Sequence, residues 1–206
     1  IGTIDAATLD HVVPAIKAVQ LQHPRLQIGV KVGTSDVLMR DITGGSLDFA
    51  ICHLEDVTGA ADVVYDPLGH ETLSLICRVG HPLQGTGRLQ PADLQSFPWV
   101  MKPVGSRNRQ SIEGMFHRNG LPIPSQVIST GSVIITLAHL ASSDAISAMA
   151  SALAMPLQAL NHMHILQFSE TLQQDAFGIV QLRNRRLSAG AGLLRRTLLE
   201  QGIEHA

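Results

Sequence analysis

Three short hydroxyl-bearing turns carry most of the chemistry this sequence offers: Gly33-Thr34-Ser35, Gly105-Ser106 and Thr130-Gly131-Ser132. Each precedes a run with helical apolar spacing, so each is read as a helix start. Free N–H groups at a helix start, and the helix dipole behind them, favour anions; with a hydroxyl they can hold a carboxylate without a cationic side chain. Thr and Ser are also common helix caps, and the two roles are compatible. Arg107 and Arg109 follow Ser106. An arginine there could clamp a carboxylate bidentately or lie on a solvated face. If the three turns converge they form a small-anion site.

Other chemistries find few residues. There is no G-x-S-x-G elbow, Walker A motif or G-x-G-x-x-G fingerprint, so no nucleophile or nucleotide cradle is expected. Asp36 and Asp41 lie five apart on one helix, project in different directions and make a poor acid–base pair. His162 and His164 share one face of a strand, but zinc needs three or four ligands. No cofactor, metal site or catalytic residue is expected, and the chain is read as a non-enzyme.

Composition narrows the class. Of 206 residues, 45% are hydrophobic and 16% charged, which suits a core-forming globular chain. The net charge of −2 argues against a nucleic-acid binder driven by bulk electrostatics. Seven aromatic residues are too few for a base-stacking platform. Cys52 and Cys77 each sit in an apolar strand-like run, which suggests buried thiols in a reducing cytosol. No apolar run approaches the roughly 18–20 residues of a membrane span, and no signal peptide is visible. A chain opening on Ile1 in a strand-like run is expected to be a fragment or processed product.

The elements that must position the turns follow from periodicity. Leu26–Cys52 reads as strand, turn, helix, glycine stop and strand, a parallel β-α-β unit with the Thr34-Ser35 turn at a strand's carboxyl end. Open α/β sheets bind small ligands at that edge. A helix is expected before it over about 7–22, stopped by His23-Pro24. Strands are expected at 63–68 and 72–79. After Gly80-His81-Pro82-Leu83 the texture changes, with further strands near 97–101, 126–129 and 145–150. Helices are expected over about 107–119, 133–140 and 153–160. Strands at 164–168 and 177–182 precede a last helix at 189–201, capped by Ser188. Arg183, Arg185, Arg186, Arg195 and Arg196 form a basic C-terminal cluster, read mainly as a solvated face.

Several runs together resemble the effector-binding domain of the LysR-type transcriptional regulators. They are Val12–Ile28, Gly33–Ile51, Gly80-His81-Pro82-Leu83, Pro98-Trp99, Gly105-Ser106 with Arg109, and Leu187-Ser188. The resemblance covers nearly the whole chain. It implies an α/β fold of two Rossmann-like lobes joined by two crossover strands, like type 2 periplasmic binding proteins. The expected lobes are residues 1–79 with 165–206, and residues 80–164. It further implies a small organic effector in the cleft between lobes, an absent N-terminal winged helix-turn-helix that reads DNA, and homodimers or tetramers in the cytoplasm. Thr8, Thr34, Ser35, Ser106, Arg107, Thr130 and Ser132 are then the expected effector contacts. The chain departs from the family at Ser142-Ser143-Asp144-Ala145-Ile146, where a Gly-x-Gly-Ile stretch is common, and at Ala150, where a proline is common. Near the first helix the usual hydroxyl is Thr3, Thr8 or none, since Ala6 and Ala7 occupy part of that register. A transporter's solute-binding protein with the same fold is the competing reading, and an enzyme on this scaffold is a third.

Overall fold

The computed structural model describes residues 1–58 and 62–204. The chain folds as two compact α/β units. Residues 1–71 and 175–206 form unit 1, and residues 72–174 form unit 2. Residues 72–79 and 165–174 therefore belong with unit 2. The reason is pairing: Leu73–Ile76 bond to Ser147–Ala150, and Ile76–Cys77 bond to His164–Ile165, all inside unit 2.

In unit 1, β1 (Gly2–Thr3) lies between β2 (Lys31–Val32) and β3 (Ala50–His53), parallel to both. Helix α2 (Ser35–Thr43) joins β2 to β3, so the expected parallel β-α-β unit is present with another strand threaded between its two. The regular strand before α2 is shorter than expected, Lys31–Val32 instead of a run from Leu26. Val30 and Val32 are 43% and 52% exposed, so the alternating apolar face there has no core to enter. Strand β9 (Leu172–Leu182) pairs antiparallel with β3, Cys52 facing Gly178. The core joins Leu38 and Ile42 of α2 to Phe49 and Ile51, all fully buried.

The first helix is broken where one continuous helix was expected. A 3-10 turn at Asp5–Ala7 and a π turn at Thr8–Val12 precede α1 (Val13–Gln22). Pro14 lacks the N–H that would bond to the carbonyl four residues earlier, which disfavours a regular α register just upstream. Helix α1 packs against the last helix, α7 (Ala189–Glu204). Ser188 caps α7 by accepting the Ala191 N–H at 3.2 Å.

In unit 2, β5 (Trp99–Met101) lies between β6 (Val127–Ser129) and β7 (Ile146–Ala150), parallel to both, and β7 pairs antiparallel with β4 (Val63–Cys77). The expected strands at 63–68 and 72–79 are one continuous β4. Helix α3 (Leu54–Val57) is a short turn of unit 1. Unit 2 holds α4 (Arg107–Arg118), α5 (Val133–Ala141), α6 (Ser151–Ala159) and the short strand β8 (His164–Ile165). Trp99 and Phe116 centre its core, their rings edge to face with centroids 5.7 Å apart.

Candidate functional site

Each unit gathers its hydroxyl turns at one edge of its own sheet. In unit 1 the parallel strands β1, β2 and β3 end respectively ahead of Thr8, at Thr34-Ser35 and at His53. In unit 2, β5, β6 and β7 end ahead of Ser106, Thr130–Ser132 and Ser151. These are carboxyl edges of parallel strands, where free helix amides collect.

Unit 1 already uses most of its hydroxyls. Thr8 donates through Oγ1 to the Ile4 carbonyl at 3.1 Å, closing the irregular turn. Thr34 is the N-cap residue of α2, but its hydroxyl donates to the Asp36 carboxylate and makes no cap bond. Asp36 also pairs with Arg40 at 3.0 Å. The Thr34 hydroxyl, assisted by Arg40 and against some desolvation, holds the Asp36 carboxyl below its ordinary range. The start of α2 therefore carries its own negative charge. Ser35 is 3% exposed, and its Oγ accepts the His53 backbone N–H at 3.1 Å. Its spacing after Gly33 gives no sign of this burial.

Unit 2 presents a different edge. Gly105, at φ +87°, turns the chain into α4, a conformation that costs a Cβ-bearing residue energy. Ser106 then accepts the Arg109 N–H at 3.4 Å and donates to the Pro103 carbonyl at 2.8 Å. Arg109 turns along its helix to Glu113 at 2.6 Å, so its charge is matched locally. Arg107 is the first residue of α4. A cation there opposes the helix dipole, an arrangement that costs roughly 0.3–1 kcal/mol. Ser132 caps α5 by accepting the Ile135 N–H at 3.3 Å. Thr130 accepts the Ser132 N–H at 3.1 Å.

Lys102 joins these turns and was not among the expected contacts. It follows β5 directly, and its Nζ donates to the Gly131 carbonyl at 3.4 Å. It is the only lysine between residues 72 and 174. The start of α5 and the end of β5 thus share a cation. A charged residue immediately after the apolar run Phe97–Met101 was the available sign. In unit 2 the structure brings Ser132, Thr130 and Lys102 together; in unit 1 it brings Ser35 to His53.

The basic C-terminal cluster is largely spent on architecture. Arg185 donates to the Leu47 and Gly45 carbonyls at 2.9 and 3.0 Å, tying down the turn after α2. Arg195 pairs with Asp66 at 2.5 Å, and Arg183 donates to the Val63 carbonyl at 3.3 Å. Among the described residues no group of three or more His, Cys, Asp or Glu side chains is placed to hold a metal ion.

Comparison with known proteins gives a consistent picture. A family model described as LysR substrate binding domain matches residues 1–202. The HTH-type transcriptional regulator GbpR of Azospirillum brasilense is 38% identical over 192 residues, covering 93% of this chain and 56% of that protein. GbpR of Rhizobium radiobacter is 33% identical over 154 residues, covering 75% of this chain and 51% of that protein. The chain spans about half the length of these curated relatives. Among solved structures, the effector binding domain of QuiR in complex with shikimate aligns with a TM-score of 0.78 at 17% identity, covering 99% of this chain and 96% of that one. The Synechocystis PCC6803 CcmR regulatory domain in complex with 2-PG aligns with a TM-score of 0.79 at 20% identity, covering 97% and 94%. At such identities the likeness concerns the fold.

Proposed function

Since the chain belongs to the LysR substrate-binding-domain family, we propose that it is the effector-sensing part of a LysR-type transcriptional regulator and that its effector is a small organic acid. The observation that carries the acid is the carboxyl edge of unit 2. There the capped starts of α4 and α5 present free helix amides beside two cationic side chains, Arg107 and Lys102. Ser106, Arg107, Thr130 and Ser132 are the effector contacts of this reading, with Lys102 added as the charge that meets the carboxylate. On unit 1, Thr8 and Thr34 remain contact candidates, and Ser35 acts from behind as a support.

Effector binding works here as a population shift. A ligand that binds one conformation of the regulator better than another moves the equilibrium by its difference in affinity. The regulator reads DNA through a helix-turn-helix segment outside the matched region and acts as a homodimer in the cytoplasm. Support for the DNA-reading part comes from the relatives' description as HTH-type regulators nearly twice as long as the matched region. No helix among the described residues is long and apolar enough to cross a membrane.

A thermal-shift screen of small organic acids tests the reading, because a ligand that binds the native state raises its apparent stability. At least one acid should raise the melting temperature, and Lys102→Met should abolish the rise. A rise that survives Lys102→Met unchanged overturns the assignment to unit 2. No response to any acid, with a response to neutral or cationic compounds, overturns the effector class.

A further inference from the structure

Ser35, His53 and Glu71 form a buried chain of polar contacts across three elements of unit 1. His53 ends β3 and is 9% exposed. Its Nδ1 lies 3.3 Å from the Ser35 Oγ, and its Nε2 lies 2.5 Å from the Glu71 Oε2. The Glu71 side chain is 13% exposed. Asp56 of α3 stands at 3.8 Å from Nδ1, too far for a hydrogen bond.

The direction of this chain follows from the donors available. An ionised carboxylate only accepts, so the nitrogen facing Glu71 carries hydrogen. In the neutral ring Nδ1 is then the acceptor, and the Ser35 hydroxyl donates to it. Ser35 also accepts the His53 backbone N–H at 3.1 Å. In that state its hydroxyl meets His53 both as donor and as acceptor, and it is also a hydrogen-bond partner of the Cys52 thiol. Nothing in the helix itself requires this: the first α2 bond, from the Leu38 N–H to the Thr34 carbonyl at 3.0 Å, is backbone only.

Glu71 occupies a particular place in the chain. It is the last residue of unit 1 on β4, and two residues later the same strand begins its pairing inside unit 2. A hydrogen-bonded path therefore runs from the first turn of α2, through β3, to the point where β4 leaves the unit.

We propose that His53 is a positioning residue for effector sensing, fixing the first turn of α2 to Glu71 so that the two move as one. This rests on the reading that the α2 start takes part in effector recognition. Ser35 on this account is a support behind that start, which revises its expected role as a direct contact. A disturbance at Thr34-Ser35 reaches β4 through two hydrogen bonds, and a displacement of β4 reaches the α2 start by the same route.

The test needs no ligand, so a chain that binds no effector would overturn the functional reading and leave this outcome standing. Amide hydrogen exchange is followed at Leu38 and His53 in the wild-type chain and in Glu71→Ala and Glu71→Gln, with the Trp99 amide of unit 2 as control. Glu71→Ala removes the acceptor and should speed exchange at both sites about tenfold, the scale of losing one hydrogen bond to a charged group. Glu71→Gln keeps an acceptor for Nε2–H and should restore most of the protection. The Trp99 amide, bonded to the Gln126 carbonyl at 2.8 Å, should not change. The imidazole nitrogens give an independent signature: NMR should show hydrogen on Nε2, and Ser35→Ala should move the Nδ1 signal more than the Nε2 signal. Unchanged exchange at Leu38 and His53 in Glu71→Ala, or a ring protonated on Nδ1 alone, overturns the proposal.

Discussion

The Nε2 of His81 lies 3.1 Å from the carbonyl oxygen of Asp144, and the same ring accepts the Leu83 N–H at Nδ1, also at 3.1 Å. These partners require one nitrogen with hydrogen and one without, which is the neutral imidazole. Burial holds the His81 ring below its ordinary value, outweighing the opposite pull of Asp144. A histidine depressed in this way takes up its proton more readily unfolded than folded. Its contribution to stability is therefore complete above the unfolded value of about 6.5 and declines as pH falls from there toward the lower folded value. Each proton of difference costs at most about 1.4 kcal/mol per pH unit. Urea midpoints at pH 7.5 and 5.5 should fall in the wild type, and the fall should be smaller in His81→Gln. Equal falls in both would remove His81 as a source of acid sensitivity.

Gly178 has no room for a methyl group. A Cβ there would stand 2.2 Å from the Asp66 carbonyl oxygen and 2.7 Å from the Tyr65 ring. The obstacle is partly backbone, so it cannot swing aside as a flexible side chain would. Gly178→Ala should destabilise the chain by about 3 kcal/mol, at the upper end of ordinary overpacking. Chemical denaturation reads this directly, and a loss below about 1 kcal/mol would mean that β4 and β9 separate more easily than their packing implies.

Both thiols should be inert in the native state. Burial pushes Cys52 up to about 12, helped by the charge of Asp56, and burial likewise pushes Cys77 up to about 12. The thiolate is the reactive form, so at pH 8 an aromatic disulfide reagent should react about a thousandfold more slowly than with an unperturbed cysteine. Denaturant should release two fast equivalents per chain. Rapid native-state labelling of either residue would show that its strand opens on the assay timescale.

An acidic effector that reaches the α2 start, as proposed, meets the negative charge of Asp36 there. Its carboxyl is held below the usual range foremost by the Thr34 hydroxyl, so it is ionised at neutral pH. Asp36→Asn should strengthen binding of an organic acid by about threefold to tenfold, the worth of one partly screened like charge. Titration calorimetry across ionic strengths measures this, and the gain should shrink as salt rises. An affinity unmoved by the substitution places the acid away from Thr34.

Much of the local structure was legible because it depends on neighbours in sequence. Ser106, Ser132 and Ser188 announce the starts of α4, α5 and α7 through their own hydroxyls, and Gly120 suits the stop after α4. The apolar spacing of Ile112 and Phe116 places both inside, where they are 1% and 0% exposed. The break before α1 was less visible, although Pro14 was its sign. The two strands expected around Gly69 proved to be one, because pairing on both sides of β4 outweighs the tendency of proline and glycine to interrupt a strand.

The sequence by itself determined the class of the protein: an ordered run of strands, helices and capping turns, with hydroxyls and arginines placed at helix starts. Only the tertiary structure decided how those groups are used. It threaded β1 between β2 and β3, turned Ser35 inward to His53, gave Thr34 to Asp36, and set Lys102 beside the start of α5. The division has a physical cause. Caps and periodicities act within about one helical turn of chain. The partner of a buried hydroxyl or a strand is chosen among residues far away in sequence, as Ser35 is from Glu71, and only folding brings those within hydrogen-bond reach.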